Sequence, residues 1–413
     1  MPCQAVPESL HRPAAAGFCF PAYLRAARLN PSFFPVPAPP APRVLFALVG
    51  DVRGSSRALR QLRALAAMGL RVEALTLGPP AGHDPVEGVT LTVLPRPAGR
   101  GPAFFWRAHR LFLREALRRR AEVYHASDLY VLPALVAAKR RHGGRVVLDA
   151  RELYPHVDAT AGKPWATWAW AALERRFLPH TDAVLTVNRS IAERMAEAYG
   201  IAPPVVVHNV PERRSAPRSE ALRERLGIPA GQRIVLYQGL VRAARGLERL
   251  VDAMRDVPDA ALVVIGDGPA KAALQRQAAA MLGDRAHFLP HTPPDDLRRL
   301  TASADLGVHV PEPVTESIRL ALPNKLFEYL MADLPVVVAD IPEMRRVVED
   351  FDVGLVVDPY DRDGLAAAIR RALSDEAARA RWRTNAPAVF DTFDPAKDRA
   401  AFERVYRALA FPA

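Results

Sequence analysis

The chain has 413 residues, half of them hydrophobic and 24% charged, with a formal net charge of +11; that length predicts two domains, each with its own core. Its two cysteines, Cys3 and Cys19, exclude a disulfide scaffold and a thiolate metal cluster, which fits a reducing, cytosolic setting. No run of eighteen apolar residues is present, so no membrane span is expected, and no basic segment leading into an apolar stretch suggests a signal peptide.

The charge is uneven. Residues 42–210 hold 24 Lys and Arg against 14 Asp and Glu, whereas residues 211–413 hold 29 against 30. A basic first half suits an anionic partner, such as a phospholipid surface or a pyrophosphate-linked substrate. Nucleic acid is not expected, because no helix-turn-helix, zinc-finger or aromatic RNA-binding signature accompanies the charge.

Residues 1–41 are rich in Pro and Ala and show no period; they are expected to be a disordered extension or the product of a misplaced start codon. Order is expected from "RVLFALVGD", an apolar run typical of a strand buried on both faces. The helix "SSRALRQLRALAAMGL" and the strand "RVEALTLG" complete a strand–helix–strand unit. Strands at "VYHAS", "RVVLDAREL", "DAVLTVN" and "PVVVHNVP" then alternate with helices at "LYVLPALVAAKRRHG", "WATWAWAALERRFLPH" and "SIAERMAEAYG". A second series starts at "QRIVLYQGL" and runs through "ALVVIGDGP", "AHFLP", "DLGVHVPE", "PVVVAD" and "VGLVVDP", again with helices between and three more after. Repeated strand–helix units predict parallel sheets covered on both faces, in two doubly wound α/β domains with a cleft between them. Ligands are expected beyond the carboxyl ends of the strands.

Five loops in such positions, and one helix start, carry candidate residues. In "GDVRGSS", Gly54 and Ser55 form a turn into a helix with Arg57 in its first turn, which suits a phosphate, a sugar hydroxyl or a plain strand–helix turn. In "LYQGLVRAARGL", Gly239 allows a sharp turn, Arg242 and Arg245 suit a diphosphate through planar paired contacts, and Gly246 allows close approach to a ligand. "GDGP" places Gly266 and Gly268 in ordinary turn chemistry. "LPHTPPDD" offers His291 and Thr292 in a polar loop able to read a base edge, with Asp295 or Asp296 as helix cap. "LDARELYP" clusters Asp149, Arg151 and Glu152 beside Asp128 of "HASDL", either as a ligand site or as a structural ion pair. In "LPNKLFEYLMADLP", Lys325 and Glu328 are neighbours on one helix face, with Asn324 above Glu328; a surface ion pair and an anion site at the helix start are both open. "DRD" at 361–363 has the position of helix-capping acids, and the histidines show no metal-ligand spacing, so no metal is expected.

The second half, in its order and spacing of "LYQGLVRAARGLERLVDAM", "VVIGDGP", "HFLPHTPPDDL", "ADLGVHV" and "LPNKLFEYLMADLPVVVAD", resembles the donor domain of family 4 glycosyltransferases of the GT-B fold. "GDVRGSSRALRQLRALAAMGLRVEALTL", "HASDL" and "LDARELYPH" resemble that family's acceptor domain more loosely. The resemblance implies two Rossmann-like domains, an acceptor domain at 42–208 and a donor domain at 209–394, with a last helix at 395–413 returning to the first. It implies retaining transfer of a sugar from a nucleotide-diphosphate sugar, by front-face attack, without a metal or other cofactor. Arg245 with Gly246 would contact the diphosphate, Arg242 would replace an arginine whose usual place is held by Leu240, and Glu328 would bind the ribose. Asn324, Lys325 and Leu326 would line the phosphate and sugar. Gly239, Gly266, Gly268, His291 and Thr292 complete the expected donor site, and Gly54, Ser55, Arg57, Asp128, Arg151 and Glu152 the acceptor site.

Two positions depart from the pattern. Leu320 stands where a first glutamate is usual, with Glu316 the nearest carboxylate to compensate, and Arg151 replaces a histidine. The catalytic set expected is therefore Arg245, Lys325, Arg151 and Glu316. The acceptor is expected to be a polysaccharide, lipid-linked or small molecule, anionic in keeping with the basic first half. "FFWRAHRLFLREALRRR" and "KPWATWAWAALERRF" read either as helices at an anionic membrane surface or as helices packed on the sheet. A nucleotide-sugar epimerase and a non-catalytic scaffold of the same fold are the rival readings.

Overall fold

The computed structural model describes residues 40–79, 86–99, 101–214 and 217–411; the segment 1–41 read as an extension lies, but for its last two residues, outside them. Residues 41–413 form one compact unit that contains two parallel sheets.

The first sheet belongs to β1 (Arg43–Leu48), α1 (Ser56–Ala67), β2 (Arg71–Leu77), β3 (Val89–Leu94), α2 (Gly101–Ala116), β4 (Val123–Ala126), α3 (Leu132–His142), β5 (Arg145–Ala150), α4 (Pro164–Phe177), β6 (Ala183–Thr186), α5 (Arg189–Tyr199) and β7 (Val205–Val206). Its order is β3-β2-β1-β4-β5-β6-β7, with every neighbour parallel. The order reverses between β1 and β4, which opens a crevice beyond their carboxyl ends. The central strands are largely apolar because helices cover both faces, with His125 on β4 and Asp149 on β5 as buried polar exceptions. Strand β3 was not among the expected strands. Its "VTLTVL" alternates apolar and polar residues as a half-exposed edge strand does, whereas the long apolar runs mark only the sheet's interior. "PVVVHNVP" contributes only the two residues of β7.

The second sheet is built from α6 (Ala221–Leu226), β8 (Arg233–Gln238), α7 (Leu247–Ala253), β9 (Ala260–Ile265), α8 (Lys271–Leu282), β10 (Ala286–Leu289), α9 (Pro294–Thr301), β11 (Leu306–His309), α10 (Glu316–Arg319), α11 (Asn324–Met331), β12 (Val336–Ala339), α12 (Pro342–Asp350), β13 (Gly354–Val357), α13 (Arg362–Ser374) and α14 (Glu376–Thr392). The order β10-β9-β8-β11-β12-β13 reverses between β8 and β11. Asp305, fully buried before β11, accepts from the Ile234 amide and pairs with Arg218, Arg223, Arg233 and Arg379, tying β8, α6 and α14 together. A buried carboxylate with that many partners is a fastening, because losing the partners would strand the charge.

The last helix, α15 (Pro395–Ala410), follows α14 but packs in the first sheet's core. Its Phe402, Tyr406 and Ala410 join Phe46, Leu62 and Leu65, and the Tyr406 hydroxyl lies 2.6 Å from His125 Nδ1. The two sheets also meet across the cleft. Asn188 Nδ2 donates to the Leu320 carbonyl at 2.7 Å, and the Ser190 amide donates to Glu343 at 2.9 Å.

Candidate active site

Strand β8 ends in a polar residue, Gln238, and the chain then turns at Gly239 (φ 126°). A Cβ on Gly239 would stand 2.8 Å from Lys325 Nζ, so glycine here leaves the lysine its place. The loop that follows holds Ala244 (φ 60°) and Gly246 (φ 70°) in the left-handed region. This unusual geometry directs the chain between Arg242 and Arg245 and starts α7 at Leu247. Gly246 has a packing reason of its own to be glycine: a Cβ there would meet the Val310 carbonyl oxygen at 2.0 Å. Gly266 and Gly268 likewise lie against the backbone of Gly239 and Val241.

Helix α11 opens behind Pro323 with no side-chain cap among the described residues, and its Leu326 amide donates to the Pro323 carbonyl at 3.2 Å. The Lys325–Glu328 ion pair, one of the two readings left open for this segment, is not formed among the described residues. Lys325 Nζ instead donates to the Tyr237 hydroxyl at 3.2 Å and sits 4.2 Å from the centre of that ring. Burial, with Arg245 and Arg242 nearby, lowers the Lys325 pKa to about 7 against the pull of Glu328. Glu328 Oε2 accepts from Gln238 Nε2 at 2.5 Å, and Gln238 Oε1 in turn accepts from the Thr301 hydroxyl at 2.7 Å. Burial raises the Glu328 carboxyl, with Gln238 and Lys325 opposing. Leu326, expected at the donor, is wholly buried among core side chains and presents nothing to a ligand.

Gln238, Gly239, Gly266, His291, Thr292, Asn324, Lys325 and Glu328 line one 460 Å³ cavity, together with Leu240, Ile265, Asp267 and Leu297. Asp267 holds two walls together: it accepts from the His291 amide at 2.7 Å and pairs with Lys271 at 2.7 Å. The cap expected at Asp295 or Asp296 falls on Pro293, with both acids in the first turn of α9.

A second cavity, of 550 Å³, shares Asn324 with the first and lies between the sheets. Arg151, Glu152, Tyr130, Tyr154 and Asp158 line it from the first domain, and Arg242, Arg245, Ser317 and Pro323 from the second. Asp158 pairs with Arg242 and lies 3.8 Å from Arg245. Burial and the neighbouring Arg242 lower the Arg245 pKa, an arrangement that favours an anion. The Tyr154 hydroxyl and Arg242 Nε are buried without a hydrogen-bond partner among the described residues.

The expected acceptor residues divide. Arg151 and Glu152 face the cavity. Arg57 does not: it is 4% exposed, donates to both oxygens of Asp149 at 2.6 and 2.8 Å, and donates to the Val207 carbonyl at 2.7 Å. Asp149 thus belongs to a buried ion pair, and burial is outweighed by Arg57 in holding its pKa low. Asp128 is buried and accepts from the amides of Val49 and Val131, fixing the end of β1 to the start of α3. Ser55 caps α1 by accepting from the Ala58 amide, and Gly54 ends the turn before it, so "GDVRGSS" is a plain strand–helix turn. Glu316 does not compensate beside Glu328. Its oxygens pair with Arg194 at 2.5 Å and His156 at 3.3 Å, a strut between the domains.

Sequence reasoning missed Gln238, Asp267, Asp158, Tyr130 and Tyr154. Gln238 had a visible signal, as the polar last residue of an otherwise apolar strand. Asp158 had little, since only the fold brings it opposite two arginines. Among the described residues no group of three His, Cys, Asp or Glu side chains could hold a metal ion.

Both halves of the chain match known protein domains. Residues 53–212 match the model described as "Glycosyl transferase 4-like domain", and residues 218–389 match "Glycosyl transferases group 1". A D-inositol 3-phosphate glycosyltransferase of Xylanimonas cellulosilytica is 31% identical over 250 residues, which span 56% of this chain and 58% of that relative's length. The sucrose-phosphate synthase of Thermosynechococcus elongatus superposes with a TM-score of 0.74 at 18% identity, covering 89% of this chain and 99% of that one. The Anabaena HepE structure in complex with UDP and glucose gives 0.71 at 17%, covering 89% and 100%. With both halves of the chain matched by the paired domain models and both sheets matched by the fold, the chain belongs to the family 4 glycosyltransferases of the GT-B fold.

Proposed function

We propose that the protein transfers a sugar, with retention of anomeric configuration, from a nucleotide-diphosphate sugar to an acceptor held by the first domain. One observation carries this reading: Arg242, Arg245, Lys325 and the uncapped start of α11 converge where the two cavities meet at Asn324. The 460 Å³ cavity, with Glu328 and the His291 loop, takes the nucleoside. The relative HepE, seen with UDP and glucose, supports a donor of this kind.

The leaving diphosphate gains negative charge as the glycosidic bond breaks. Fixed positive groups there act when charge develops and need no reorganisation, so the chain's own residues supply the stabilisation without a metal. Glu328 Oε1 has no protein partner among the described residues and accepts from a ribose hydroxyl, while Gln238 holds the other oxygen. Arg151 and Glu152 face the acceptor side, and the excess of basic residues over the first half of the chain suits an acidic or lipid-linked acceptor of a cell-envelope polysaccharide. Bringing the domains together excludes water and limits hydrolysis of the donor. We place the protein on the cytosolic face of the membrane, in peripheral contact through α2 and α4.

A mass-spectrometric screen of nucleotide-sugar consumption with an acceptor panel tests this reading. Arg245→Ala should lower turnover by about 10²–10³-fold, the scale for losing one preorganised electrostatic contact. Arg245→Ala and Glu328→Ala variants that consumed donor as fast as the parent protein would overturn the assignment.

A further inference from the structure

Asp158 comes from the first domain, on the 3₁₀ turn Asp158–Thr160, yet its partners are in the second. Its Oδ2 contacts Arg242 Nη2 and lies 3.8 Å from Arg245 Nη2, while Oδ1 lies 3.4 Å from the Thr315 hydroxyl. One carboxylate oxygen is therefore shared by the two guanidinium groups assigned above to the donor diphosphate. The carboxylate does not satisfy the fork it occupies. It meets the Nη2 of Arg242, whose Nε is buried with no partner among the described residues. A guanidinium binds an anion best through two parallel N–H bonds, and a diphosphate has enough oxygens to engage Nε and Nη2 of one arginine and still reach the other.

We propose that Asp158 is an exchangeable stand-in for the donor diphosphate. It holds the arginine pair and the two domains together while the site is empty, and the incoming diphosphate displaces it. The inference rests on the placement of the diphosphate given under the proposed function. Asp158 thereby becomes a specificity-determining residue: an anion that cannot engage both arginines better than a carboxylate does not enter. Its segment is tethered beside it by His156 and Glu316, so the displaced carboxylate stays near and returns when the nucleoside diphosphate leaves.

The test is calorimetric titration of the full chain with inorganic pyrophosphate, which needs no knowledge of the base. Asp158→Asn keeps the shape and removes the competing charge, and should bind pyrophosphate about two- to fivefold tighter than the parent, the scale of a partly exposed ion pair. Asp158→Glu should restore parent affinity, and the Asn gain should vanish in an Arg242→Ala background. Equal or weaker binding by Asp158→Asn, with Arg245→Ala still impaired, would overturn the proposal and leave Asp158 as a mere support for the arginines. Unchanged pyrophosphate binding by Arg242→Ala and Arg245→Ala alike would overturn the diphosphate placement itself.

Discussion

Lys325 is the residue on which pH should act. Its ammonium is desolvated, faces Arg245 and Arg242, and has only Glu328 to oppose them, which brings its pKa down to about 7. A diphosphate placed beside it reverses the balance, because a nearby anion favours the charged lysine. The sign follows directly. Below about pH 6 the lysine is already protonated and binding takes up no proton; at about pH 8 it is mostly neutral, and binding takes up nearly one. Calorimetry of nucleoside diphosphate binding at about pH 8, in two buffers of different ionisation heat, should show this uptake, and Lys325→Met should abolish it. Uptake that persists in Lys325→Met would assign the proton elsewhere. Residue identity alone revealed this lysine's place at a helix start, but not its ring contact with Tyr237, which depends on the neighbouring strand. Arg57 shows the same limit from the other side. It and Arg242 both follow a strand, and only the fold reveals that Asp149 lies beneath one and an open cavity beside the other.

At the level of elements, the apolar runs made the sheet interiors legible, since strands covered on both faces leave no polar alternation to mislead. The edge strand β3 and the short helices α6 and α10 were not legible, because their patterns are short and half-exposed. The period of α15 is plain, yet a period does not say which sheet a helix covers. The structure puts it on α1, with Phe402 2% exposed and 4.6 Å from the Tyr406 ring. Phe402→Ala should therefore destabilise the first domain by about 3–5 kcal/mol, the usual range for emptying an aromatic core position. A urea titration followed by tryptophan fluorescence would read this as a lowered midpoint. Four of the five tryptophans, Trp106, Trp165, Trp168 and Trp170, lie in that domain on α2 and α4, so they report its unfolding. An unchanged midpoint would mean that α15 is not part of that core in solution.

Across the whole molecule, the excess positive charge and the exposed tryptophans fall on the same domain. Helix α2 buries Phe104, Ala108 and Phe112 and turns Trp106 outward, 58% exposed, with Arg110 stacked 4.9 Å from its ring centre. Helix α4 joins it through a Phe105–Trp170 contact at 5.3 Å and leaves Trp165 and Trp168 61% and 73% exposed. The packed-helix reading thus accounts for half of each sequence pattern and leaves three tryptophans without a core to enter. Indole rings with arginines beside them suit a lipid–water interface, where the ring meets the acyl boundary and the cation meets phosphate. No helix among the described residues is long and apolar enough to cross a membrane. Sedimentation with vesicles of phosphatidylglycerol and phosphatidylcholine should pellet the protein at low salt, and pure phosphatidylcholine should pellet little. Raising salt from about 0.05 to 0.5 M should release it, because screening acts on exposed charges within a Debye length. Replacing Trp165 and Trp168 together by alanine should weaken pelleting without changing the urea midpoint, since neither ring belongs to the core. Equal pelleting with both lipids at low salt would remove charge from the explanation, and parent-like pelleting by the double variant would remove the tryptophans.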